Sequence, residues 1–80
     1  MGYHWVVMMT NSKITGNLGF VATTVEAETG CTFGILMEDD SFKSELHRLM
    51  DSHNGAHTDI LSASIAIGND LAAFANANLI

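Results

Sequence analysis

The sequence predicts an α+β domain in which a three-stranded antiparallel sheet is followed by two helices, in the order βββαα. Two observations carry this expectation. The first half, to Met37, is rich in β-branched and aromatic residues and is broken by short Gly, Ser, Asn and Thr clusters, as in strands joined by turns. From "EDDSF" (38–42) onward the apolar spacing changes from two residues to about 3.6, the period of a helix buried on one side. Eighty residues make one compact domain, 1–80, and a chain this short buries only about 60% of its unfolded surface. Its core is barely sufficient, so a metal or a partner subunit would add needed stability.

The first strand is expected at 3–9, "YHWVVMM", with Tyr3, Trp5, Val7 and Met9 on one face and His4, Val6 and Met8 on the other. "TNSKITGN" (10–17) has the chemistry of a turn. The second strand is expected at 18–27, "LGFVATTVEA". After the reversal "ETG" comes the third, 31–37, "CTFGILM", with Cys31, Phe33, Ile35 and Met37 on one face. Connections this short favour antiparallel neighbours. Gly19 and Gly34 fall inside these strands, where glycine often marks a bulge.

Asp40 or Ser41 can cap the first helix, 41–53, whose stripe Phe42, Leu46, Leu49, Met50 and His53 defines one buried face. Asn54-Gly55 supplies its left-handed stop. Thr58 or Asp59 can cap a second helix, 58–78, in which Ile60, Ser64, Ile67, Leu71, Phe74 and Asn78 step by four and three. Beside them run Leu61, Ile65, Gly68, Ala72, Ala75 and Leu79. The same segment also alternates, so the alternative is a fourth strand at 60–67 followed by a short C-terminal helix capped by Asn69 or Asp70. The long helix is preferred because alanine is frequent and the helical step persists across Gly68.

Nine acids against Lys13, Lys43 and Arg48 leave a net charge of −6, which repels phosphate backbones and argues against direct nucleic-acid binding. The acids begin at Glu26 and are densest in "MEDDSFKSE", which holds Glu38, Asp39, Asp40 and Glu45. Such a group complements the positive end of a helix. It also offers a docking patch to a basic protein surface, with carboxylates standing where phosphates would otherwise sit. Tyr3, Trp5 and Met9 are the candidate apolar anchors of the same interface, since aromatic and thioether side chains are frequent at contact surfaces.

The segment "HRLMDSHNGAH" (47–57) holds three of the four histidines and is the candidate for metal chemistry. His47 and Asp51 share a helical face, whereas His53 follows the apolar stripe. His53 and His57 have the i, i+4 spacing that clamps a metal on a helix, but Asn54-Gly55 intervenes. Only a turn that folds His57 back would complete a ligand set of His53, His57 and Asp59. The H-E-x-x-H pattern of helical zinc proteases is absent. Cys31 lies on an apolar face without an activating neighbour, and neither "GNLGF" nor "ETGCTFG" has the spacing or lysine of a phosphate-cradling loop. No enzyme activity and no cofactor are expected.

A single cysteine and the lack of a secretory pattern in "MGYHWVVMMT" point to the cytoplasm. The stretch "ILSASIAIGNDLAAF" (60–74) is interrupted by polar residues and is shorter than the roughly 20 residues of a spanning helix, so no membrane is expected. Size, acidity and missing catalytic patterns together suggest a non-enzymatic protein-binding module. It would inhibit or modulate a nucleic-acid-handling protein by docking on its basic surface, as phage anti-defence or immunity proteins do. The alternatives are a structural subunit of a homo-oligomer or larger assembly, and a small metal-binding protein using 47–57.

Overall fold

The computed structural model describes residues 15–80, with side chains from Leu18 onward, and these residues are mostly helical. Its elements are α1 (Thr15–Thr29), α2 (Phe33–Leu36), α3 (Asp40–His53) and α4 (Ile60–Asn78). α4 is the centre of the body: α1 lies along it and α3 packs on another part of its surface. α2 is a single turn that attaches to α1.

This corrects the α+β expectation, since no strand occurs among the described residues. The segment 18–27, expected as a strand, is the body of α1, and 31–37 is the turn containing α2. The expected strand 3–9 lies outside the described residues. The alternative strand at 60–67 is also overturned, because α4 is continuous through it.

The physical reason lies in which side chains are buried. Val21 and Val25, four apart, are fully buried, with Leu18 and Ala22 packed beside them, whereas a strand would bury every second residue. The threonines that favour strands are reconciled with helix by bonding back to it. Thr24 Oγ1 donates to the Phe20 carbonyl at 3.0 Å, and Thr29 Oγ1 to the Val25 carbonyl at 2.8 Å. In α2, Phe33 and Leu36 turn inward while Ile35, expected on the same strand face as Phe33, is 64% exposed.

Several helix ends are set by local chemistry. Gly30, with φ +77°, closes α1 as its N–H donates to the Glu26 carbonyl at 2.9 Å. Glu26 then reaches forward, and its Oε2 accepts from Phe33 N at 2.9 Å while Thr32 Oγ1 accepts from Ile35 N. Asp39 caps α3 by accepting from Phe42 N at 3.1 Å, one residue ahead of the caps expected from sequence. Asp59 caps α4 through Ser62 N at 2.8 Å, and Gly55, with φ +83°, turns the chain between α3 and α4.

The core joins Val21 and Val25 of α1, Phe33 and Leu36 of α2, the stripe Phe42, Leu46, Leu49 and Met50 of α3, and Ile67 and Leu71 of α4. Full burial of one such side chain stabilises the fold by about 1.5–3 kcal/mol. Phe33 and Phe42 meet edge to face, centroids 5.6 Å apart at 76°, which ties α2 to α3. Where α1 crosses α4 the contact is made by small residues. A Cβ on Gly68 would stand 2.8 Å from Thr24 Cβ, so the two backbones approach as closely as glycine allows. Ser64, one turn earlier, is fully buried and its Oγ donates to the Ile60 carbonyl at 2.8 Å. Ser64, Gly68 and Ala72 thus form a stripe of buried small residues along α4, with Gly68 against Thr24 of α1.

Candidate functional site

The α3–α4 turn gathers the titratable side chains. Gly55 and the bond from Ala56 N to the His53 carbonyl, 3.1 Å, fold the chain back so that His57 returns to the end of α3. His53 Nδ1 and His57 Nε2 are then 2.8 Å apart, and His53 Nε2 lies 3.1 Å from Asp70 Oδ2 on α4. The result is a chain, His57 to His53 to Asp70, that bridges the end of α3, the turn and the middle of α4.

Ring geometry decides what this chain can carry. The imidazole planes differ by 18°, and the 5.1 Å between centroids equals the 2.8 Å contact plus the two ring radii. The rings therefore lie edge to edge in nearly one plane, each nitrogen aimed at the other. Ligation of one metal needs both lone pairs to converge on a third point, about 2.0–2.1 Å from each nitrogen. Nitrogens that face each other at 2.8 Å are instead placed to share a proton.

Of the sequence-derived metal candidates, the fold unites His53 with His57 but turns Asp59 elsewhere. Asp59 Oδ1 and Oδ2 accept from Ser62 N and Ser62 Oγ at 2.8 and 3.0 Å, and these bonds hold its carboxyl below the usual carboxylate range, with a smaller contribution from His57. His47 and Asp51 are exposed on α3. Among the described residues no group of three His, Cys, Asp or Glu side chains is placed to hold a metal ion. Asp70 is the member that sequence reasoning missed. It lies seventeen positions from His53, and only the packing of α3 on α4 brings the two together.

The acidic candidates have separate fates. Asp39 is engaged as the cap of α3, and Glu45 accepts from Arg48 three residues on, from Nε at 2.9 Å and from Nη2. The bonds from Arg48 lower the Glu45 carboxyl and raise the guanidinium in turn. Asp40 is fully exposed beside Lys43, at 3.9 Å, and Glu38 is exposed. Tyr3, Trp5 and Met9 lie outside the described residues.

Comparison with family models, curated proteins and solved structures finds no match for this chain. The described residues form an acidic helical domain organised around one central helix.

Proposed function

We propose that the protein is a non-enzymatic binding module that docks through its acidic surface on a basic protein, inhibiting or modulating a nucleic-acid-handling partner. One observation carries this reading. All nine acids lie between Glu26 and Asp70, and none of them is buried. The two cations of the same region, Lys43 and Arg48, are each paired with an acid on their own helix, Asp40 and Glu45. The body therefore presents a field of one sign, which steers a basic partner into contact and repels nucleic acid.

Glu38 and Asp40 are the residues to test, since Asp39 is occupied in capping. The double variant Glu38→Lys/Asp40→Lys should capture less partner from an extract of the source cell, associate more slowly, and show a flatter dependence on salt. Unchanged association and unchanged salt dependence would place the interface elsewhere and defeat the proposal.

A second reading, the subunit of a homo-oligomer, is favoured by Leu61 and Ile65. One turn apart on α4, they are 44% and 45% exposed. By length and composition α4 is also apolar enough to cross a membrane, although in this fold Ala63, Ser64, Ile67 and Leu71 face inward. Sedimentation equilibrium at micromolar concentration separates the readings: a concentration-dependent mass supports the oligomer, and a monomer at all concentrations counts against it.

A further inference from the structure

We propose that His57, His53 and Asp70 form a one-proton clasp, which holds the α3–α4 turn closed while the two imidazoles share at most one added proton and releases it when both are protonated. The inference follows from donors and acceptors. A carboxylate only accepts, so His53 Nε2 carries a hydrogen and donates to Asp70 Oδ2 across 3.1 Å. In a neutral His53 the other nitrogen, Nδ1, is then bare, and it accepts from the Nε2–H of His57 across 2.8 Å.

The first added proton goes to His57 Nδ1. No bond in the chain reverses, and the contact to His53 becomes charge-assisted. A second proton has only His53 Nδ1 to occupy, where its hydrogen would face the Nε2–H of His57 across the same 2.8 Å. Two donors cannot share that gap. His57 must leave, while His53, now an imidazolium, keeps its bond to Asp70.

The surrounding charges agree with this order of events. Asp70 faces His53 from α4 and also interacts electrostatically with Arg48 of α3. Asp59, the cap of α4, interacts with His57, and Asp51 lies two residues before His53 on α3. From α1, Glu26 is turned away toward Phe33 N. This acidic surrounding welcomes one positive charge, whereas the second arrives beside an imidazolium. A partly buried His53, 19% exposed in its side chain, keeps the contact from simple exchange with water.

Linkage gives the sign. The closed turn accepts one proton and the open turn two, so opening is favoured as pH falls. The test is amide hydrogen exchange over residues 54–59 of the full chain, corrected for intrinsic rates, together with imidazole nitrogen NMR, both followed through a descending pH series. Once opening begins, its equilibrium constant should rise about tenfold for each pH unit lost, the slope of one proton. The amides of Leu46 and Ile67 should stay protected throughout.

His57→Gln should abolish the slope, and His47→Gln, on the exposed face of α3, should leave it intact. Protection of 54–59 that ignores pH in the unmodified protein would overturn the clasp, whether or not the variants fold. So would a slope that persists in His57→Gln. Saturable shifts of both imidazoles on adding zinc chloride, with the acid opening suppressed, would also overturn it by making the pair a metal site.

Discussion

Replacing Gly68 by alanine tests the packing of α1 on α4 with one methyl group. In an ordinary helix interior the change is stabilising by about 1 kcal/mol, because alanine loses less backbone freedom than glycine. Here the new Cβ would stand 2.8 Å from Thr24 Cβ and 3.1 Å from both Cγ2 and Oγ1. The nearest of these atoms is attached directly to the α1 backbone, so a rotamer change cannot relieve the contact and the helices must separate. Overpacking of a fitted interface costs about 1–3 kcal/mol, which exceeds the propensity gain. The net effect is a loss of roughly 1 kcal/mol, or a fall in Tm of about 4–8 °C for a domain of this size.

Thermal and urea unfolding followed by far-UV circular dichroism measures the loss, and two companion variants make the sign diagnostic. Gly19→Ala meets nothing within 4 Å and should raise stability by up to about 1 kcal/mol. In a Thr24→Gly background the clash is gone, so Gly68→Ala should become stabilising. A rise in Tm for Gly68→Ala alone, matching that of Gly19→Ala, would refute the close approach of α1 and α4.

Two further outcomes follow from the helix caps. Asp39→Ala removes the acceptor for Phe42 N and should cost about 1 kcal/mol in urea unfolding, whereas Asp40→Ala, fully exposed, should leave the midpoint in place. The lowered carboxyl of Asp59 contributes stability that is complete above its unfolded value, about pH 3.9, and is lost as pH falls through the lower folded value. Asp59→Asn should therefore flatten the acid limb of the stability profile below about pH 4. An unchanged limb would show that the Ser62 bonds do not set the titration.

The sequence made some of this structure readable and hid the rest for identifiable reasons. α3 and α4 are visible because their apolar residues recur at helical spacing behind capping aspartates, and Gly55 marks the turn between them. α1 is hidden because valine, threonine, phenylalanine and glycine dominate it and its apolar residues do not form one narrow stripe. What makes it helical is tertiary: Val21, Thr24 and Val25 fit the surface of α4, and threonine satisfies itself on the preceding turn. Ser64, Gly68 and Ala72, small residues four apart, are the sequence signal that a second helix would cross there closely.

The site divides in the same way. The pairing of His53 with His57 depends on a turn fixed by Gly55, local enough to be conceivable from the i, i+4 spacing. Asp70 joins through helix packing and carries no local mark. Asp59, which sits nearer in sequence, is held by its own helix start. The acidic cluster reads as one patch in the sequence, yet in the fold Asp39 and Glu45 are engaged within α3, which leaves Glu38 and Asp40 to face outward.

The packing of α4 against α1, with Gly68 seated on Thr24, requires residues 18–29 to be helical. Backbone carbon chemical shifts measured by NMR test that requirement residue by residue. Cα shifts displaced downfield without interruption from Leu18 to Thr29, with the Val21 and Val25 amides among the slowest to exchange, are the expected result. Upfield, strand-type Cα shifts over 18–27, with protection alternating along the chain, would contradict the account.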